Sequence, residues 1–103
     1  MQAGMKKALY KVPNGKLLKI FLEENAGKIS AIKITGDFFA HPEEVIEKLE
    51  KWLVGTVILP DALTKRMDEF FAREPAKLFG VDVPSIITTI LSAARPQALG
   101  ATE

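Results

Sequence analysis

Ile34-Thr35-Gly36-Asp37-Phe38-Phe39 is the stretch on which the fold turns, followed by Pro42-Glu43-Glu44 and closed by Trp52-Leu53-Val54-Gly55. It joins the end of a strand to the start of a helix. Neither element by itself calls for two aromatics in succession. Adjacent side chains on extended chain point to opposite faces. Phe38 and Phe39 are therefore expected to part, one plugging the junction and the other reaching the surface or a satellite cluster. Two readings stay open: both serve the core, or one anchors an interface, where aromatics are enriched among hot spots. Asp37 also has two readings, a turn residue that satisfies backbone N–H groups or a polar contact across a subunit boundary.

Upstream, residues 5–12, 16–24 and 28–35 alternate as three strands. They are separated by Pro13-Asn14-Gly15 and Asn25-Ala26-Gly27. Each spacer reads as a three-residue loop with glycine in the left-handed position. The first loop pairs Tyr10 with Leu18 and Ala8 with Ile20. The second pairs Leu22 with Ser30, Ile20 with Ile32 and Leu18 with Ile34. One face then holds Tyr10, Leu18, Ile20, Leu22, Ile32 and Ile34, a core face that a one-residue slip would destroy. The other holds Lys7, Leu9, Lys11, Leu17, Lys19, Phe21, Ile29 and Lys33, half apolar and half basic. So many large apolar side chains seldom stay wet. Either a helix covers this face as well, or another protein does.

Downstream, three helices are expected. Pro42 suits the first helical position, with Glu43 and Glu44 in the first turn. Val45, Ile46, Leu49, Trp52 and Leu53 share a face, and Gly55 is the stop. A second helix starts near Asp61 as N-cap and buries Leu63, Met67, Phe70 and Phe71. A third starts near Asp82 and Pro84, with Ile86, Ile87, Ile90, Leu91 and Ala94 inward. The expected fold is α+β: a three-stranded antiparallel meander with about three helices packed on it.

At 103 residues the chain makes one domain, with an ordered core of about 5–95 and loose ends at residues 1–4 and 97–103. It has no cysteine, which removes disulfides and thiolate chemistry. The N-terminus lacks the apolar core of a signal peptide, and the apolar run near residues 83–94 is too short to span a bilayer. A cytoplasmic protein is the expectation. Residues 1–35 carry seven lysines against Glu23 and Glu24, a net +5, while the rest of the chain is net −4. This reads either as ordinary solvation or as a basic sheet surface that meets an acidic partner.

The residues suggest no autonomous active site. There is no Gly-rich phosphate loop. His41 is the single histidine, so a histidine-based metal site is not expected, and it reads as a capping or surface residue. Glu43 and Glu44 are neighbours on a helix that do not face each other. Trp52 reads as core.

The order Gly15-Lys16-Leu17, Gly36-Asp37-Phe38-Phe39, Pro42-Glu43-Glu44, Leu49-Glu50 and Gly55 resembles the C-terminal accessory domain of lipoate protein ligases, over roughly residues 5–95. Asn14 stands where a second glycine is expected, and His41 where an aromatic or apolar residue is usual. In some organisms this domain is a separate small protein. The resemblance implies a non-catalytic accessory subunit in a heterodimer with a large catalytic subunit. The complex would activate lipoate with ATP and Mg to lipoyl-adenylate, then pass the lipoyl group to a lysine of acceptor domains. The chain alone is expected to bind no cofactor and no metal, to avoid membranes, and to meet acceptor domains only indirectly.

The resemblance carries over Gly15, Lys16, Gly36, Asp37, Phe38, Phe39, Pro42, Glu50 and Gly55 as motif residues, none of them catalytic. Gly15 and Gly36 would serve backbone geometry. Lys16 reads as a phosphate or acidic-partner contact, or as an exposed strand lysine. The candidate partner interface is Lys7, Leu9, Leu17, Lys19, Phe21, Ile29 and Lys33. The alternative class is a small nucleic-acid-binding module, with Lys7, Lys11, Lys19 and Lys33 on phosphates and Phe21 stacking a base. Against it stand a single aromatic and no arginine on that face. A homodimer through the same face is a third reading.

Overall fold

The computed structural model describes residues 5–94, so the ends read as loose lie outside the described residues. Alternating side chains build three antiparallel strands, β1 Lys6–Lys11, β2 Leu17–Asn25 and β3 Lys28–Gly36, ordered β1-β2-β3. The first hairpin has the expected register, Ala8 opposite Ile20 and Tyr10 opposite Leu18. Its turn differs in detail. The Gly15 N–H donates to the Val12 carbonyl at 2.8 Å, and the left-handed residue is Asn14 (φ 59), not Gly15. Proline followed by a positive-φ residue is a type II turn, and asparagine tolerates that position.

The second hairpin is offset by two residues from the expected register, for two separate reasons. Its loop is Ala26-Gly27 alone, both left-handed (φ 56 and 80), so Asn25 pairs with Lys28. That is the two-residue turn whose twist suits a hairpin. A β-bulge then leaves Ser30 unpaired between Glu24–Ile29 and Glu23–Ala31. The Ser30 hydroxyl donates to the Glu23 carbonyl at 3.0 Å. Each event shifts the pairing by one. The result is Leu22 opposite Ile32, Ile20 opposite Ile34 and Leu18 opposite Gly36. Side chains repeat every two residues, so a shift of two preserves the face. Leu18, Ile20, Leu22, Ile32 and Ile34 are buried as expected, with Tyr10 half-buried against them.

The bulge overturns one assignment. Below it, Ile29 shares the face of Glu24 rather than that of Phe21. Ile29 is 1% exposed and belongs to the core, not to the open face.

Three helices follow: α1 Val45–Leu53, α2 Pro60–Arg73 and α3 Val83–Ala94. α1 lies over β3 and α3 over β1 and β2, while α2 packs on α1 and α3 and not on the sheet. Val45, Leu49 and Leu53 of α1 and Leu63, Met67 and Phe70 of α2 are buried at helical spacing, while Phe71 stays half-buried.

The starts of α1 and α2 differ from expectation. Pro42 precedes α1 rather than opening it: the His41–Pro42 peptide is cis, the Pro42 carbonyl accepts the Val45 N–H at 3.1 Å, and Glu44 is the N-cap. The chain is extended up to His41 and must turn before it can coil. In α2 the N-cap is Leu59 and Pro60 takes the first position. Proline forces the residue before it into extended conformation, so Asp61 sits in the first turn, where the helix dipole favours it. Asp82 caps α3 through Oδ1 on the Ser85 N–H at 2.8 Å. In α3, Leu91 and Ala94 are only half-buried, and Ser85, Thr89 and Ala93 are buried in addition. The Thr89 hydroxyl donates to the Ser85 carbonyl at 2.7 Å, which satisfies it inside the core.

A second, two-stranded sheet was not foreseen. β4 Phe39–His41 pairs antiparallel with β5 Lys77–Phe79. Among the described residues no helix is long and apolar enough to cross a membrane.

Candidate functional site

Most of the motif residues gather at two places, while Phe39 lies on the β4–β5 ribbon and Pro42 in the turn before α1. The first is a junction where the first hairpin, the end of β3 and the end of β5 meet. The Lys16 N–H donates to the Gly80 carbonyl at 2.8 Å, and the Asp37 N–H donates to the Leu17 carbonyl at 3.0 Å. Gly15 lies so close to Gly80 that a Cβ there would sit 2.7 Å from its carbonyl oxygen. Gly36 has φ 150, and a Cβ on it would collide with the Leu17 carbonyl oxygen and come within 3.1 Å of the Phe38 ring. Both glycines therefore serve close backbone approach. Lys16 and Asp37 use their backbones here, and their side chains are exposed.

The two phenylalanines do part. Phe38 packs against the core, while Phe39 is 71% exposed. Phe39 stands opposite Phe79, itself 52% exposed. On the same ribbon, Ala40 and Leu78 face the core, and His41 and Lys77 are exposed. His41 is thus a surface strand residue and caps no helix.

The second place is the outer edge of β3. Glu50 Oε2 accepts the Ile34 N–H at 2.7 Å. The Gly55 N–H donates to the Ile29 carbonyl at 2.7 Å, and the Ile29 N–H donates to the Thr56 carbonyl at 2.9 Å. These bonds tie α1 and the chain after it to a strand edge that would otherwise offer free donors and acceptors. Between β3 and α1 lies an open cleft of about 380 Å³, with Thr35, Gly36, Phe38, Phe39, Glu43 and Glu47 among its lining. Among the described residues, no group of three or more His, Cys, Asp or Glu is placed to hold a metal ion.

The face of the sheet away from the helices carries Lys7, Leu9, Lys11, Leu17, Lys19, Phe21 and Lys33. No described element covers it. Leu9 is 56% and Leu17 37% exposed, and Phe21 is half-buried. Of the residues expected on this face, Ile29 is missing, taken into the core by the bulge.

Residues 8–83 match the family model described as the bacterial lipoate protein ligase C-terminus. The chain belongs to this family. That stretch includes every motif residue from Gly15 to Gly55 and both of the places described above. The fold is also similar to a chain from an archaeal lipoylation system, a bi-partite lipoate protein ligase and its E2 lipoyl domain from Thermoplasma acidophilum. The TM-score is 0.67 at 26% identity, covering 87% of this chain and 97% of that one. None of the curated proteins compared with this chain matches it.

Two features of the lipoate protein ligase domain escaped sequence reading. Phe79 becomes visible only when β5 pairs with β4, although Lys77-Leu78-Phe79 between Pro75 and Gly80 carried a faint strand signal. Glu50 is a motif residue in the sequence, but its bond to the Ile34 N–H shows only when α1 is laid along β3.

Proposed function

We propose that this chain is the accessory subunit of a two-component lipoate protein ligase. With a large catalytic subunit it supports the ATP- and Mg-dependent activation of lipoate to lipoyl-adenylate, before transfer to a lysine of acceptor domains. The observation that carries the reading is the similarity, along nearly the full length of both chains, to a chain of comparable size from a bi-partite ligase. The lipoate site and the phosphate-stabilising groups then belong to the large subunit, in a cytoplasmic heterodimer. This chain contributes by holding that subunit's loops in their closed arrangement, a gating role. Phe39 and Phe79 stand opposed and exposed, an apolar pair open to contact with a partner.

The test is pyrophosphate release from the large subunit, lipoate and Mg-ATP, with and without this chain. Release that requires both proteins supports the reading. An equal rate without this chain, and no complex on a sizing column, overturns it.

A further inference from the structure

The open sheet face is laid out as a checkerboard. Phe21 has Lys7 directly opposite on β1 and Lys33 directly opposite on β3. Leu9 stands opposite Lys19, and Leu17 opposite Lys11. Each large apolar side chain on the face thus has a lysine beside it. Among the described residues, Lys7, Lys11, Lys19 and Lys33 enter no ion pair, and Lys11 donates to the Gly15 carbonyl at 2.9 Å. The described acid on this face is Glu23, opposite Ala31 at the far end of the sheet.

We infer that this face is the docking surface for the large ligase subunit, and that it selects an acidic patch with an apolar centre. The inference rests on the function proposed above and adds the site and its chemistry. Lysine stems lie along apolar neighbours while their ammonium groups reach outward, so the face presents an apolar floor at Phe21, Leu9 and Leu17 under a cationic rim. Carboxylates on the partner complement the rim, which sets register and association rate. An apolar side chain against Phe21 supplies the desolvated centre. A phosphate backbone would use the lysines but leave Leu9 and Leu17 without a partner, which favours protein over nucleic acid. Leu17 also continues the face into the motif junction, since its carbonyl holds Asp37.

The test titrates the large subunit of the same organism with full-length protein at low and high salt. It compares wild type, the double variant K7E/K33E, F21S, and a control K51E/K65E on exposed positions of α1 and α2. The expected result is binding weakened by roughly 30-fold or more in K7E/K33E, with a reduced salt dependence. F21S weakens binding at both salt concentrations, and K51E/K65E matches wild type. Melting temperatures of K7E/K33E and K51E/K65E stay at the wild-type value, while F21S, which truncates a half-buried ring on the central strand, melts somewhat lower yet remains folded at the titration temperature. If wild type binds and K7E/K33E binds equally well, the inference falls and the function stands. If wild type neither binds nor activates the large subunit, both fall. If K7E/K33E loses only binding to a fluorescent single-stranded oligonucleotide, the face is a nucleic-acid surface and the inference is overturned.

Discussion

The carboxylate of Glu50 accepts the backbone N–H of Ile34 at 2.7 Å, side chain of α1 to edge of β3. Ile34 is buried, and its amide points away from β2, where no strand follows. Without Glu50 that donor has no partner. An unsatisfied buried donor costs about 1–3 kcal/mol. Glu50→Ala should therefore lower the melting temperature by roughly 5–15 °C. Glu50→Gln, which keeps an acceptor oxygen, should recover much of the loss. Equal melting of Glu50→Ala and wild type would show that the bond contributes nothing.

Gly36 and Gly27 both have positive φ, but their surroundings differ. A Cβ on Gly36 meets the Leu17 carbonyl oxygen, whereas one on Gly27 meets nothing within 4 Å. Gly27→Ala should cost only the left-handed backbone penalty, about 1–2 kcal/mol. Gly36→Ala should cost more, on the order of 3 kcal/mol or above, because steric collision adds to strain. Urea denaturation of the two variants in parallel measures the difference. Equal midpoints would remove the claim that the motif glycine serves close approach.

The core face of the sheet and the buried stripes of α1 and α2 were legible because they rest on period two and period 3.6. What sequence reading missed has other causes. Ala26 carries no signal for left-handed backbone, so the tight turn was hidden. Nothing about Ser30 marks a bulge. The two errors summed to an even shift, which is why the face survived while Ile29 changed sides. β4 and β5 have three residues each, too few to show periodicity, so the Phe39–Phe79 pair exists only at the tertiary level. The motif was legible, and so was the backbone role of Gly15 and Gly36, but the partners that the motif residues meet were not. It closes a strand edge and a backbone junction, and both depend on partners distant in sequence.

Ile29 tests the bulge directly. Ile29→Ala empties a site that is 1% exposed and should cost about 2–4 kcal/mol. Leu9→Ala, at a position 56% exposed, should stay within about 0.5 kcal/mol of wild type. Were Ile29 on the open face, the two variants would melt alike.

Trp52 and Arg66 exchange bonds between α1 and α2. The indole N–H donates to the Arg66 carbonyl at 2.8 Å, and the guanidinium donates to the Trp52 carbonyl at 2.6 Å. The guanidinium also lies 4.1 Å from the ring centroid. Trp52, expected in the core, is instead half-buried between α1 and α2, where the guanidinium groups of Arg66 and Arg73 lie over its ring. Arg66→Ala should cost about 1–2 kcal/mol and red-shift the emission of the single tryptophan. Arg66→Lys should recover little, because an ammonium cannot stack and fork at once. An unchanged emission maximum would mean that Arg66 does not shield the ring.

Phe38 and Phe39 are neighbours with opposite environments, and their alanine variants should separate stability from binding. Phe38 packs against the core and over Gly36, so Phe38→Ala should cost about 1–3 kcal/mol. Phe39 is 71% exposed beside Phe79, so Phe39→Ala should leave the melting temperature within about 2 °C of wild type. If the ribbon anchors the large subunit, the same variant should weaken the complex by roughly 10-fold or more. Both losses can be read from one protein preparation, by thermal melting and by titration of the large subunit. A fold-neutral Phe39→Ala that also binds normally would confine the dock to the basic sheet face. A destabilised one would place Phe39 in the core and remove it from the interface.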